Sequence, residues 1–146
     1  MTEGVYTLPQ RMRLAVVGSR EWESTEHLRR AGAMIAYAYG LYRPSLVISG
    51  GARGIDKLAE TFARWLRIPT SIHHAPRDAV RWEDFEPRNT EIAQNCTHML
   101  CIVSPVSKTR GSQGTADIAQ RLNRPVHRIL MAPGERMPDW PDWSME

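Results

Sequence analysis

The sequence has only two cysteines, Cys96 and Cys101, among its 146 residues. They lie five positions apart with no second pair, which argues against a disulfide framework and a zinc knuckle. No apolar run approaches the roughly 18 residues of a membrane-spanning helix, and the start of the chain shows no apolar signal segment. We therefore expect a cytoplasmic protein without a metal, a cofactor or a membrane partner.

Runs of like charge are also absent, although the formal net charge is +3. This mild basic excess is compatible with an anionic ligand but does not by itself indicate DNA binding. The 42% hydrophobic and 24% charged residues are typical of a folded globular chain. The length predicts one domain over residues 1–146, with a core at 13–131 and an irregular tail at 132–146 in which Trp140 and Trp143 are candidates to pack on the body or on a partner subunit.

Short apolar runs alternate with helical patterns along the chain. Leu14–Val17 is apolar at consecutive positions, as in a strand buried on both faces, and Gly18 ends it. Ser24 or Thr25 then offers an N-cap for a helix. The same order returns several times, which predicts an α/β, three-layer Rossmann-like fold with a mainly parallel sheet of about five strands. Further strands are predicted at 45–49, 70–74, 98–104 and 125–131.

The remaining segments are predicted from their periodicity and composition. Residues 55–66 form a helical pattern whose apolar stripe is Leu58, Phe62, Trp65 and Leu66. Residues 75–89 are polar and aromatic, as in a functional loop or lid, and short helices are predicted at 90–96 and 115–123.

Three glycine-rich stretches each follow a predicted strand and precede a predicted helix. Free backbone N–H groups and the helix dipole at such a position favour an anion. A single stretch is equally typical of a tight strand-to-helix turn, but three on one sheet edge favour a ligand that bears phosphate. The stretches are Gly18-Ser19-Arg20, Gly50–Gly54 and Gly111–Thr115.

Two widespread nucleotide-binding motifs are missing. The segment VVGSREW does not fit G-x-G-x-x-G, and no G-x-x-x-x-G-K-[ST] stretch occurs. The sequence therefore disfavours a conventional dehydrogenase and a P-loop NTPase.

Four segments together resemble a known superfamily. LAVVGSREW, VISGGARGIDKLAE, FEPRNTEIA and GSQGTADIA, in this order and spacing, are similar to the SLOG superfamily of Rossmann-like nucleotide-binding proteins, especially its small stand-alone YspA-type branch. Relatives include the Lonely Guy phosphoribohydrolases, the DNA-processing protein DprA and domains that sense NAD-derived nucleotides. The resemblance implies a homodimer or a larger homo-oligomer and leaves three functions open.

The first is hydrolysis of the N-glycosidic bond of a nucleoside 5′-monophosphate. In the Lonely Guy enzymes an arginine and a glutamate act, and Arg88 matches that arginine. The glutamate position is Ile118, one residue after Asp117, and Ser112 replaces the second of the motif's paired glycines. Glycosidic hydrolysis ordinarily needs a carboxylate. The other candidates for that role are Asp78, Glu83 and Asp84.

The second function is a module that binds a nucleotide or an NAD- or ADP-ribose-derived signal without turnover, which needs no catalytic glutamate. The third is binding of single-stranded DNA, as in DprA, with Arg53 and Arg88 on phosphates and Trp82 or Phe85 stacked on a base.

Several residues have both a binding and a structural interpretation. Arg20 and Arg53 can clamp phosphate or form ion pairs with Glu21 or Asp56. Asp56 can cap backbone N–H groups or hold a ribose hydroxyl, and Thr115 can bind phosphate or cap its helix. The residues expected to bind the phosphate or nucleotide are Gly18, Ser19, Arg20, Ser49, Gly50, Gly51, Arg53, Gly54, Asp56, Asn89, Gly111, Ser112, Gly114 and Thr115.

Overall fold

The computed structural model describes residues 11–107, 111–132 and 137–143. Within these ranges strands and helices alternate as the sequence predicts. The strands are β1 (Arg13–Gly18), β2 (Leu46–Ser49), β3 (Thr70–Ile72), β4 (His98–Val103) and β5 (Val126–Leu130). The helices are α1 (Thr25–Tyr42), α2 (Ile55–Trp65), α3 (Trp82–Asn95) and α4 (Gly111–Arg121).

The five strands form one parallel sheet in the order β3-β2-β1-β4-β5. Ala15 of β1 pairs with Ile48 of β2 on one side and with Met99 of β4 on the other. Strand order therefore reverses between β1 and β4, the place where open α/β sheets bind ligands at their carboxyl edge. The predicted parallel α/β sheet of about five strands is confirmed.

Helices cover both faces of the sheet. Alternate residues of β1 enter different cores: Leu14 and Val16 pack with α1 and α2, whereas Ala15 and Val17 pack with α3 and α4. This alternation follows from the period of two along a strand. The apolar run of β1 is thus buried on both faces, and the three predicted layers are confirmed.

The apolar stripe predicted for α2 is only partly correct. Leu58 and Phe62 pack against the core, but Trp65 is 73% exposed and Leu66 is 56% exposed. The buried face of α2 is instead formed by small and polar residues together with one isoleucine. Its buried residues are Ile55, Asp56, Ala59, Glu60 and Ala63.

Helix α3 begins eight residues earlier than predicted. The Asp84 carboxylate accepts the backbone N–H groups of Val80 and Arg81, both at 2.9 Å, and so fixes the helix start at Trp82. Pro87 lies within the helix, although proline usually indicates a helix boundary. Residues 82–89 are therefore helical, and the loop predicted at 75–89 is shorter.

Residues 137–143 of the tail pack on the body, as one of the two interpretations of its tryptophans predicts. Trp140 and Trp143 lie against the core that contains α1, and the Tyr42 hydroxyl donates to the Pro141 carbonyl at 2.6 Å. Residues 137–143 contain no helix or strand. Within the described ranges, no helix is long and apolar enough to cross a membrane.

Candidate functional site

A cavity of about 890 Å³ lies at the carboxyl edge of the sheet, within the range typical of small-molecule sites. Its floor includes Val17 and Gly18 at the end of β1 and Gly50 just after β2. Helix α3 forms one wall and the first turns of α4 form another. The cavity thus lies where the strand order predicts a ligand site.

Many of the residues predicted to bind a nucleotide line this cavity. They come from four segments that are distant in sequence and meet only at this edge of the sheet. Whether they bind a ligand remains a prediction. The lining residues that the sequence predicted are Gly18, Arg20, Gly50, Asp56, Arg88, Asn89, Gly111, Ser112, Gly114 and Thr115.

Gly50 begins the stretch Gly50–Gly54, which we call the glycine loop. At this residue α2 and α3 approach the loop. A Cβ atom at this position would lie 2.8 Å from Nη1 of Arg88 and 2.9 Å from Oδ2 of Asp56. No side chain fits there without moving one of these charged groups. The glycine therefore lets an arginine and a carboxylate lie against bare backbone at the cavity wall.

Arg88 is held by three hydrogen bonds. Its Nη1 donates to the carbonyl of Gly50 at 2.7 Å and to that of His73 at 3.2 Å, and its Nε donates to Oδ1 of Asn89 at 2.7 Å. Burial lowers the pKa of Arg88, and Asp56 opposes this shift. The guanidinium is thereby fixed in position, with Nη2 uncommitted among the described residues.

Asp56 is a buried carboxylate, only 6% exposed. Burial raises its pKa to about 6, and the hydrogen bond from the Ala52 N–H, at 3.1 Å, limits the shift together with Arg88. Asp56 thus orders the glycine loop instead of capping α2. A carboxyl group with this pKa exchanges a proton near neutral pH.

Two aromatic rings of α3, Trp82 and Phe85, line the cavity. The guanidinium carbons of Arg20 and Arg88 lie 5.4 Å and 5.8 Å from the centre of the Phe85 ring, in the range of cation–π contacts. The Trp82 ring packs directly on Gly114 of α4, where any Cβ would overlap it. Nε1 of Trp82 donates to Glu86 at 2.7 Å.

Charges in the cavity are mixed. Among the described residues, the arginines that line it are Arg20, Arg88 and Arg121, and the carboxylates are Asp56, Glu86 and Asp117. Arg128 binds Asp117 at 2.6 Å. Ile118, at the glutamate position of the Lonely Guy pattern, is buried in the core beneath α4, so that position supplies no carboxylate to the cavity.

A second cavity of about 380 Å³ adjoins the first and shares Arg20, Gly50, Ala52 and Arg88 with it. Its other lining residues are Gly51, Arg53, His74 and Ala75. Arg53 forms an ion pair with Glu21, which is one of the structural interpretations that the sequence left open.

Some predicted binding residues serve the loops themselves. The Ser19 hydroxyl accepts the Ser104 N–H at 2.9 Å, and the Ser49 hydroxyl donates to Glu60 at 2.7 Å. Gly54 packs against the backbone of Ser19 and has a φ of 77°. None of these three lines either cavity.

The predicted alternative carboxylates lie outside both cavities. Asp78 and Glu83 are exposed, and Asp84 caps the start of α3. The two backbone hydrogen bonds lower the pKa of Asp84. Neither cavity is lined by any of the three.

The third glycine-rich stretch is the first turn of α4 and not a loop. The Thr115 hydroxyl donates to the Gly111 carbonyl at 2.9 Å, within the helix, and Thr115 is buried. Thr115 therefore does not cap α4. The Ser112 carbonyl accepts the Cys101 thiol at 3.6 Å.

Glu86 and Arg121 were not predicted from the sequence. A helical signal for Glu86 exists, because Trp82, Phe85, Glu86 and Asn89 follow the i, i+3, i+4, i+7 spacing of one helix face. It becomes visible only once α3 is known to begin at Trp82. Arg121 is four residues after Asp117, one turn further along α4.

Comparisons with known proteins support the fold. No family model and no curated sequence matches the chain. DNA processing protein A from Helicobacter pylori, solved to explain its single-stranded DNA binding mode, matches with a TM-score of 0.62 and 16% identity over 86% of this chain and 68% of that one.

Two further structures agree. DNA processing protein A (DprA) from Streptococcus pneumoniae matches with a TM-score of 0.61 and 24% identity, over 86% of this chain and 51% of that one. The structural genomics target TM1055 matches with a TM-score of 0.62 and 18% identity, over 79% of this chain and 72% of that one. This chain thus spans about half of the Streptococcus protein. At these identities the likeness shows the fold alone, and it confirms the Rossmann-like fold that the sequence predicts.

Proposed function

We propose that the protein binds a nucleotide 5′-phosphate, or an NAD- or ADP-ribose-derived nucleotide, in the larger cavity. The phosphate lies beside Arg20 and Arg88, and the base lies against Trp82 or Phe85. The ligand is a small molecule, and the protein acts as a homodimer or a larger homo-oligomer, as the SLOG resemblance implies.

One observation supports this proposal above the others. Arg20 and Arg88 flank the Phe85 ring at the wall of a cavity that lies at the reversal of strand order. The Arg20 guanidinium can bind phosphate in a bidentate manner, Nη2 of Arg88 can add a further charge-assisted hydrogen bond, and an aromatic face next to them suits a base or sugar. The starts of α2 and α4, on the same edge, add the positive ends of two helix dipoles.

A thermal-shift panel tests the proposal. The probes are the 5′-monophosphates of adenosine, guanosine, cytidine and uridine, the four matching nucleosides, and ADP-ribose. A ligand at 100 times its Kd adds about 2.7 kcal/mol, or a shift of roughly 5 to 10 °C for this chain length. We expect a shift with at least one nucleotide and none with its nucleoside, and the absence of any shift would refute the proposal.

Hydrolysis of the N-glycosidic bond is a second candidate function at the same cavity. It is favoured by Asp56, whose pKa of about 6 suits proton transfer near neutral pH. The test is chromatography of the bound nucleotide for released base. Release that disappears in Asp56→Asn supports an enzyme, whereas binding without release supports a module that senses the nucleotide.

Single-stranded DNA is the alternative ligand that the fold similarity to DprA favours. The mixed charge of the larger cavity fits this ligand less well, because a DNA strand needs a continuous basic groove. Electrophoretic mobility shifts with an oligothymidylate at low and moderate salt distinguish the two ligands. Strong, salt-sensitive DNA binding, together with no thermal shift from any nucleotide, would favour DNA as the ligand.

A further inference from the structure

The smaller cavity differs from the larger one in charge. Its arginine and histidine lining residues are Arg20, Arg53, Arg88 and His74, and no aspartate or glutamate of the described ranges lines it. Among the described residues, the larger cavity is lined by as many carboxylates as arginines. Negative charge on a ligand that reaches both cavities is therefore better accommodated in the smaller one.

Arg53 can exchange its present partner for a ligand. Its ion pair with Glu21 is exposed, with 72% of the arginine side chain and 54% of the glutamate side chain accessible. Exposed pairs of this kind contribute little free energy, so an anion held by several groups competes with them easily.

His74 lines the smaller cavity together with Arg88. Its ring packs on Gly51, where a Cβ would lie 2.6 Å from Nδ1 of the imidazole. The histidine is exposed and provides a ring N–H donor. Arg53 and His74 thus add a guanidinium and a ring N–H donor to the surface that Arg20 and Arg88 form.

We infer that the ligand carries a second phosphate group, which binds in the smaller cavity between Arg53 and His74. This inference rests on the proposed function, with the first phosphate at Arg20 and Arg88. The chemical class is a nucleotide with two phosphate groups, joined either as a pyrophosphate or at separate ribose positions. A simple monophosphate fills only part of the site.

Isothermal titration with three probes tests the inference. The base that gives the largest thermal shift is used as its 5′-monophosphate, 5′-diphosphate and 3′,5′-bisphosphate, on the wild type, Arg53→Gln, His74→Gln and Arg29→Gln. Arg29 is the matched control, because it too forms an exposed ion pair, with Glu26, and lines neither cavity.

We expect one of the two-phosphate probes to bind at least about tenfold tighter than the monophosphate. Arg53→Gln reduces that advantage to within about threefold, because it weakens binding of the two-phosphate probe more than binding of the monophosphate. His74→Gln reduces the affinity advantage of the two-phosphate probe by less, and Arg29→Gln leaves that advantage unchanged. The diphosphate and bisphosphate arms show which linkage the site accepts.

Four outcomes overturn the inference. If a monophosphate binds but neither two-phosphate probe is tighter, or the advantage survives in Arg53→Gln, the second phosphate site is wrong while the proposed function stands. If no nucleotide binds, both fail. If an oligothymidylate binds tighter than every small probe and loses affinity in Arg53→Gln, the smaller cavity holds a phosphate of a DNA strand instead.

Discussion

Nη1 of Arg88 donates to the carbonyl oxygen of Gly50 at 2.7 Å and so joins helix α3 to the glycine loop after β2. A Cβ on Gly50 would meet the same guanidinium at 2.8 Å. The cavity wall therefore depends on an arginine side chain and a glycine backbone that are 38 residues apart in sequence. Arg88 both builds the proposed site and supplies its positive charge.

Replacing Arg88 should affect stability and binding together. In Arg88→Gln the Gly50 carbonyl loses its partner and Asp56 loses a neighbouring cation, at a cost of about 1–3 kcal/mol in the free energy of unfolding. Nucleotide binding should be lost. Urea denaturation and titration calorimetry measure the two effects, and Arg29→Gln, whose ion pair is exposed, should change neither. Unimpaired nucleotide binding in Arg88→Gln would remove this residue from the site.

Gly114 should be required for the position of the Trp82 ring. Gly114→Ala improves helix propensity by up to about 1 kcal/mol, but the new methyl group overlaps the ring and forces it into the cavity. We expect nucleotide affinity to fall by about tenfold, with altered tryptophan fluorescence. Gly40→Ala in α1 is the matched control, because its Cβ meets nothing within 4 Å. It should stabilise the protein without changing affinity, and equal behaviour of the two variants would contradict the packing described here.

Asp56 should make the protein less stable as the pH rises. Because its pKa is about 6 in the folded state and 3.8 without the fold, the folded state holds the proton more tightly. The contribution of protonated Asp56 to the free energy of unfolding is complete below pH 4 and is lost as the pH rises through 6. Asp56→Asn should therefore raise the free energy of unfolding at pH 7.5, by a value on the order of 3 kcal/mol at most, while leaving stability at pH 4 nearly unchanged. Denaturation at both pH values measures this, and a destabilised variant at pH 7.5 would show that the ionised carboxylate is needed by the fold.

The tail should respond to acid through two histidines. His98 and His127 pack against Trp143 and Trp140 with ring centroids 4.9 Å and 5.0 Å apart, and burial lowers the pKa of both. Both histidines remain neutral down to a lower pH in the folded state than in the unfolded state. The free energy of unfolding therefore falls as the pH drops below 6.5. The loss in the wild type should exceed that in the double variant His98→Gln/His127→Gln between pH 7 and 5.5. Because Asp56 is present in both proteins, its opposite effect cancels when the two losses of stability are subtracted. Equal losses in the two proteins would show that the histidines do not cause the acid sensitivity.

Local signals predicted much of the fold. The consecutive apolar residues of β1, the serine cap at Ser24, whose hydroxyl accepts the His27 N–H at 3.0 Å, and the glycine loop all lie where the sequence places them. Each of these features depends on interactions within a few residues, which periodicity and capping rules describe well.

The details of the site depend on contacts between distant segments. Proline usually indicates a helix boundary, but Asp84 fixes the start of α3 before Pro87. The sequence therefore did not predict that Phe85 and Glu86 lie on one face of a helix. The burial of Asp56 depends on how α2 meets the sheet. The smaller cavity exists only because Arg53 and His74 follow neighbouring strands, which no sequence period indicates.

Titration calorimetry of one nucleotide against its own nucleoside tests the central claim most directly. The probe is the 5′-monophosphate that gives the largest thermal shift, measured on the wild type and on Arg88→Gln. The account predicts saturable binding of the nucleotide to the wild type, at least about a hundredfold weaker binding of the nucleoside, and loss of nucleotide binding in the variant. Equal affinity for the nucleotide and the nucleoside, or no heat from either, would contradict a phosphate site at Arg20 and Arg88.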